Sequence, residues 1–222
     1  MKPDTISADE WPDWETRFQA FLQAQAASSA ADAAHDEAHV RRVVSSATRL
    51  AALEEADLAV VVPAAWLHDC VIVLKDSALR SQASRMAAKT AVTFLHHVHY
   101  PPHYLDAIAH AIEAHSFSAG IPPQTLEAKV VQDADRLDAL GAIGMARTFM
   151  VGGALQRPLY HPTDPFCATH LPDDSLATLD HFYTKLLKLA GTMQTDAGRR
   201  EAERRTAFMQ TFLAQLAGEI GE

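Results

Sequence analysis

Four histidine and aspartate side chains have the types and the spacing to form one metal site. His68 and Asp69 follow an apolar, helix-like run that begins at Ala64. His39 stands about thirty residues before this pair, and Asp135 about sixty-five residues after it. Imidazole nitrogen and carboxylate oxygen suit a catalytic divalent ion that keeps positions open for water and substrate. Together, these four residues could bind such an ion.

The surrounding sequence is more informative than the His-Asp pair alone, because the same pair also occurs as His35-Asp36. The downstream aspartate lies in Ala134-Asp135-Arg136-Leu137. In order and spacing, the pattern H…HD…D resembles the HD-domain metal-dependent phosphohydrolase superfamily. A group of small bacterial HD hydrolases also shares the stretches at 75–77 and 80–84. The resemblance covers roughly residues 30 to 155.

The resemblance implies which residues bind the metal: His39, His68, Asp69 and Asp135 match the ligands of the family. His39 is preferred to His35 because the first histidine of the family is followed four positions on by a valine-like residue, here Val43. His35, one turn earlier, is left open between a catalytic role near the ligands and a substrate contact. Asp69 is also expected to accept a proton during catalysis.

Two further residues have two open interpretations each. Asp138 lies three residues after Asp135, so it could orient a ligand histidine or form a helix salt bridge with Arg136 or a neighbour. His115 could contact substrate or a second metal, since some HD proteins use extra histidines for that purpose. His110 is five positions earlier, about 140° around a helix, so the two are not expected to share an ion.

The expected reaction is hydrolysis of a phosphoester or phosphoanhydride bond by a metal-activated water. Fixed cations must balance charge on the phosphoryl oxygens, and the resemblance places Arg42, Lys75, Arg80 and Arg147 around the cleft. Each could equally be an ordinary surface charge. The expected substrate is a small phosphate compound, with nucleotides as the leading class. Mn²⁺ or Mg²⁺ is expected as the cofactor, with Fe²⁺, Co²⁺ or Ni²⁺ as further possibilities.

Composition excludes several other classes of protein. A net charge of −9 repels nucleic acid backbones and acidic lipid surfaces. Cys70 and Cys167 are too few for a disulfide framework and suit a reducing cytoplasm. The N-terminus is acidic where a signal peptide would be basic. The longest apolar run, residues 58–67, is shorter than the about twenty residues of a membrane span. We expect a soluble cytoplasmic protein.

Alanine-rich sequence with apolar residues three and four apart predicts an all-α fold: an HD-domain helical bundle with additional N- and C-terminal helices. The expected division is an N-terminal extension over 1–30, the HD core over 31–155, and a loop with C-terminal helices over 156–222, packed as one unit. One helix should begin near Trp11-Pro12, Pro63 should open another, and residues 126–149 should form a single helix. The phenylalanine-bearing C-terminal helix could provide a homodimer contact.

Three other functions compete with hydrolysis. A di-iron HD-type oxygenase would use the extra histidines as ligands of a second metal. A regulatory module would bind a metal tightly without turnover. A helical protein with no metal would keep the four residues as polar core groups, which is costly for buried carboxylates.

Overall fold

Helices form all the regular structure of the described residues, which in this computed structural model are 6–28, 37–71, 73, 77, 79–116 and 119–221. The α-helices are α1 (Trp11–Ser28), α2 (Glu37–Glu54), α3 (Leu58–Leu67), α4 (Ala83–His97), α5 (Leu105–His115), α6 (Leu126–Asp138), α7 (Gly141–Ala154), α8 (Asp180–Thr184) and α9 (Asp196–Ile220). Short 3-10 segments precede α1, α4 and α5 and follow α8. No strand occurs in these ranges, so the predicted all-α class is confirmed.

The chain divides into two compact units, Met1–Asp135 and Arg136–Glu222. The sequence-based boundaries near residues 30 and 155 are a different division and stay predictions. Within the described ranges, no helix has the length and apolar character needed to cross a membrane. His35 and Lys75 lie outside the described residues.

Helix α3 is the apolar centre of the first unit, with nine of its ten residues buried. The side chain of Asp57 caps it by accepting a bond from Ala59 N at 2.8 Å. The prediction that Pro63 opens this helix is wrong, because Pro63 lies inside it. Proline has no N–H, so the carbonyl of Ala59, four residues earlier, lacks its helical donor. The Tyr100 hydroxyl donates to that oxygen at 2.6 Å and satisfies it.

Three helices pack around α3: α1, α2 and α5, while α4 packs mainly on α5. On α2, an apolar stripe follows His39, because Val43, Ala47 and Leu50 are buried. Helix α1 begins at Trp11 as predicted. It is held by Phe18, which is fully buried. These contacts fix the helices that bear the metal-site histidines.

The predicted helix over residues 126–149 is interrupted, so that prediction is wrong. Helix α6 ends at Asp138 and α7 starts at Gly141. Gly141 has φ +69°, and a Cβ there would lie 3.2 Å from the Arg205 side chain. Glycine accepts this left-handed conformation without a Cβ penalty. Arg205 also donates to the Leu137 carbonyl at 2.6 Å, which satisfies one acceptor at the end of α6.

The second unit has a separate apolar core built from α7, α8, α9 and the 3-10 segment Leu186–Thr192. Phe182 is fully buried and its ring lies 6.0 Å from that of Phe149. On α9, Met209 and Leu213 face this core, whereas Phe208 is 51% exposed. The proposed homodimer contact through this helix stays a prediction.

Candidate metal centre

The ends of helices bring five histidine and aspartate side chains together in the first unit. His39 lies in the first turn of α2, and Asp135 lies in α6. His68 is the residue that ends α3, and Asp69 follows it directly. His115 is the last residue of α5. Residues far apart in sequence therefore meet because four helices converge at one place.

The interatomic distances define the cluster. His39 Nε2 lies 3.5 Å from Asp135 Oδ1. His68 Nε2 lies 3.8 Å from Asp69 Oδ2 and 3.9 Å from Asp135 Oδ1. His115 Nε2 lies 3.5 Å from Asp69 Oδ1. These nitrogen–oxygen distances are longer than those of most direct hydrogen bonds, so the histidine nitrogens and the carboxylate oxygens are not in close contact.

Local helix chemistry orients two of the histidine rings. His68 Nδ1 lies 2.8 Å from the Ala65 carbonyl, and His115 Nδ1 lies 2.6 Å from the Ile112 carbonyl. Both carbonyls are three residues earlier, in the last turn of a helix, where they lack helical donors. Because Nδ1 donates to a carbonyl, each neutral ring carries its free lone pair on Nε2. Both Nε2 atoms point into the cluster.

The buried Nε2 atom of His68 lacks a hydrogen-bond partner among the described residues, and this indicates whether the cluster suits a metal ion. The side chain of His68 is fully buried, and Nε2 has no hydrogen-bond partner among the described residues. Leaving a buried polar nitrogen unsatisfied costs about 1–3 kcal/mol. A divalent ion would accept this lone pair and would also be bound by the neighbouring carboxylates. The donor set therefore fits a metal ion.

Electrostatics favour the metal-binding forms of His68 and Asp69. Burial lowers the pKa of His68, which favours the neutral ring. Burial would raise the pKa of Asp69, but the interactions of its carboxylate with the His68 and His115 rings outweigh burial, so the pKa falls below its usual range. For His115, burial is outweighed by the bond to Asp69, and its pKa is raised. Asp69 is therefore ionised at neutral pH.

Two overlapping ligand groups share the imidazole of His68. One is His39, His68 and Asp135, and the other is His68, Asp69 and His115. Within each group, the ligand atoms lie within 4.8 Å of one another. The four residues matched to the H…HD…D pattern are thus in one place, and His115 joins them from α5. This arrangement could bind one ion or two adjacent ions.

Comparison with known families and proteins identifies the architecture. Residues 37–140 match the HD domain. YpgQ of Bacillus subtilis is 35% identical over 190 residues, which are 84% of this chain and 84% of YpgQ. The chain belongs to the HD-domain superfamily.

Solved structures agree with this assignment. An HD-superfamily hydrolase from Bacillus thuringiensis has 34% identity and a TM-score of 0.71, covering 93% of this chain and 98% of its own. Bacillus subtilis YpgQ, solved in complex with ADP, has 32% identity and a TM-score of 0.67, covering 92% and 95%. The chain is accordingly a metal-dependent HD hydrolase.

Arg42, Arg80 and His110, which the sequence analysis named, differ in exposure and in hydrogen bonding. Arg42 is half-buried on α2, one turn after His39. Arg80 is exposed, and its Nη1 donates to the Val73 carbonyl at 3.2 Å. His110 does not face the HD cluster ligands, because its Nε2 accepts from Gln124 N at 3.0 Å.

Asp138 and Arg147 form an ion pair within the second unit. The Asp138 side chain is 4% exposed, whereas that of Arg147 is 48% exposed. The salt bridge expected as one of two possibilities for Asp138 is therefore present, with Arg147 as a partner. One guanidinium nitrogen of Arg147 is held by Asp138, and about half of its side chain faces solvent.

Sequence reasoning missed a second group of possible ligands, formed by Cys167, His170 and Asp180. It considered Cys167 only as one of two cysteines that are too few for a disulfide framework. The signal available was the spacing of Cys167 and His170, with two residues between them. Asp180 could not be paired with them from spacing alone.

Proposed function

We propose that this HD hydrolase cleaves a phosphoester or phosphoanhydride bond of a small phosphorylated compound, with a nucleotide as the substrate class. The observation that carries the proposal is the buried Nε2 of His68, which has no partner among the described residues and faces two carboxylates. The ADP complex of YpgQ supports a nucleotide as the ligand.

In this proposal His39, His68, Asp69 and Asp135 bind the divalent ion. When bound, such an ion polarises a phosphoryl oxygen and makes water a better nucleophile near neutral pH. Asp69 has a side chain that is 42% exposed, so it can reach a water molecule as well as an ion. Its ionised carboxylate accepts the proton of the attacking water. His115 positions that carboxylate from the opposite side through Oδ1.

Positive side chains bind the phosphate groups in this proposal. A protein with net charge −9 attracts a polyanion only where its cations are concentrated. Arg42 is one turn from a metal ligand, and Arg147 is fixed by Asp138 with part of its side chain exposed. Arg80 and Lys75 are assigned to phosphate by the family resemblance.

Two further residues complete the proposal. His35, outside the described residues, is proposed to act near the ligands from the turn before His39. Asp138 is proposed to act indirectly, by holding the guanidinium of Arg147. The oxygen-rich and nitrogen-containing ligand set favours Mn²⁺ or Mg²⁺, and Fe²⁺, Co²⁺ and Ni²⁺ also suit it.

The test uses purified, chelator-treated protein with Mn²⁺, Mg²⁺, Co²⁺ or Fe²⁺ and a panel of nucleoside mono-, di- and triphosphates. We expect metal-dependent release of phosphate or pyrophosphate, identified by chromatography of the products. Absence of turnover with every metal, while the ion remains bound, would overturn the proposal.

A second candidate is an oxygenase with two iron ions. The adjacent group formed by His68, Asp69 and His115 favours it, since it offers ligands for a second ion beside the first. Two iron ions per chain and consumption of O₂ with an organic substrate would support this reaction. Turnover of a nucleotide without O₂ supports hydrolysis instead.

A further inference from the structure

A second cluster of metal-ligating side chains lies in the second unit, on the loop that leads into α8. It consists of Cys167, His170 and Asp180, whose ligand atoms lie within 4.8 Å of one another. Asp180 is the first residue of α8 and is fully buried. Cys167 and His170 are partly exposed, so an ion could enter from solvent.

The carboxylate of Asp164 organises the loop that carries two of these residues. It accepts bonds from the backbone N–H groups of Ala168, Thr169 and His170 at 2.7–3.0 Å. It also accepts from the Thr169 hydroxyl and lies 2.8 Å from His170 Nδ1. A carboxylate on Nδ1 is the usual outer partner of a metal-bound histidine. It fixes the ring with Nε2 directed away from Asp164.

That Nε2 atom of His170 faces Asp180. The distance from Nε2 to Asp180 Oδ2 is 3.0 Å, and Oδ2 also accepts from Asp173 N at 2.8 Å. The other oxygen, Oδ1, is buried and makes no conventional hydrogen bond with the described residues. A fully buried carboxylate oxygen without a strong donor is costly. It is an available ligand atom.

The Cys167 thiol is directed at the same carboxylate. Burial, and then the charge of Asp180, raises the pKa of this thiol to about 11. A metal ion lowers thiol pKa strongly and would replace the proton. Cys167, His170 and Asp180 thus offer one sulfur, one nitrogen and one oxygen atom within 4.8 Å of one another.

We propose that Cys167, His170 and Asp180 bind a divalent transition-metal ion, with Asp164 positioning His170. One sulfur, one nitrogen and one oxygen ligand favour an ion of intermediate softness such as Zn²⁺. On binding, the Cys167 thiol and His170 Nε2 each release one proton, and His170 keeps its Nδ1 proton, which it donates in a hydrogen bond to Asp164. The fourth position is open to water.

The geometry requires only small movements of side chains. Bond lengths of about 2.0–2.3 Å imply ligand atoms about 3.3–3.7 Å apart around a tetrahedral ion. His170 Nε2 and Asp180 Oδ2 are slightly closer than this, at 3.0 Å. No pair in the group exceeds 4.8 Å.

Cobalt spectroscopy tests this site separately from the HD centre, which offers only nitrogen and oxygen. Co²⁺ is added to the chelator-treated full chain, and thiolate-to-cobalt charge-transfer absorption is recorded. We expect one such centre per chain, lost in Cys167→Ser and His170→Gln and displaced by Zn²⁺. Cys70→Ser is the matched control, because Cys70 is buried in the first unit and its thiol bonds the Ala87 carbonyl. No absorption at saturating Co²⁺, or its persistence in Cys167→Ser, overturns the proposal.

A measurement on the unaltered protein guards against variants that do not fold. The rate at which iodoacetamide alkylates Cys167 is followed by peptide mapping with and without Zn²⁺. At a zinc concentration one hundred times Kd, we expect alkylation to slow about 100-fold. Unchanged alkylation over the whole zinc range contradicts the site, whether or not the protein hydrolyses nucleotides.

Discussion

The HD cluster of the first unit and the Cys167 cluster of the second unit satisfy their histidines in opposite ways. In the HD cluster, His68 and His115 donate from Nδ1 to backbone carbonyls of their own helices. In the Cys167 cluster, both nitrogens of His170 face carboxylates, those of Asp164 and Asp180. In the HD cluster, the Nε2 atoms of His68 and His115 remain available to bind a metal. In the Cys167 cluster, both ring nitrogens of His170 already contact carboxylates.

This difference determines whether a metal ion must displace protons when it binds at each cluster. His68 is fully buried, and burial favours the neutral ring that binds a metal. His170 is stabilised as a cation, because bonds to Asp164 and Asp180 raise its pKa. A metal bound by His68 and Asp69 therefore meets groups that are already deprotonated, whereas a metal at the Cys167 cluster must displace protons.

The largest effect is expected from Asp69→Asn, which removes the charge that faces both His68 and His115. Loss of an ion that supplies several kcal/mol of transition-state stabilisation should lower kcat by about 10³-fold or more. Turnover and bound metal are measured together. The control is Asp106→Asn, since Asp106 is exposed on α5. Wild-type turnover in Asp69→Asn contradicts the assigned centre.

The next effect concerns metal-dependent stability. At Mn²⁺ one hundred times Kd, binding should stabilise the chain by about 2.7 kcal/mol. For a protein of this size, that corresponds to a Tm increase of roughly 5–10 °C. His68→Gln should remove this increase, and His103→Gln, at an exposed position, should retain it. Equal Tm increases in both variants, measured by calorimetry, would show that His68 is not a ligand.

A smaller effect is expected from His115→Gln, which removes the ring facing Asp69 Oδ1. Outer partners of metal ligands typically contribute 10–100-fold, so we expect kcat to fall by about that factor. The first ion should remain, as measured by metal content. Loss of exactly one of two bound ions would instead make His115 a ligand of the second ion. His96→Gln, at an exposed residue of α4, serves as the control.

The smallest effects are opposite pH trends in the metal-free protein. His68 has a lowered pKa when folded, so the unfolded chain takes up its proton first, and stability falls as pH drops below 6.5. His170 has a raised pKa, so its contribution is full below 6.5 and is lost as pH rises through the folded value.

Chemical denaturation from pH 5 to 8 compares wild type with His68→Gln and with His170→Gln. The wild-type advantage over His170→Gln should shrink as pH rises. The wild-type stability relative to His68→Gln should decrease as pH falls. If the stability difference from wild type changed with pH in the same direction for His68→Gln and His170→Gln, the two histidines would not differ in protonation as stated.

The sequence by itself determined the helical class and the set of H…HD…D residues. Helical class is readable because apolar spacing of three and four residues has one structural meaning, as at Val43, Ala47 and Leu50 on α2. The His68-Asp69 pair is readable because its partners, His39 and Asp135, keep a recognisable order. The structure brings all four to one place.

Only the tertiary structure decided features that depend on partners distant in sequence. Pro63 stays inside α3 because Tyr100 satisfies the carbonyl of Ala59, and no local rule foresees that bond. At the break before α7, Gly141 adopts φ +69° beside the Arg205 side chain, which would lie 3.2 Å from a Cβ at this position. Asp138 takes Arg147, nine residues away, as its partner.

The choice of which histidines face a metal also belongs to the tertiary structure. His110 and His115 share a helix, yet one bonds the Gln124 backbone and the other faces Asp69. Cys167, His170 and Asp180 meet where the loop bound by Asp164 contacts the start of α8 through His170. Residue types and spacing specify which chemistry is possible, whereas the packing of helices and loops specifies which side chains converge to perform it.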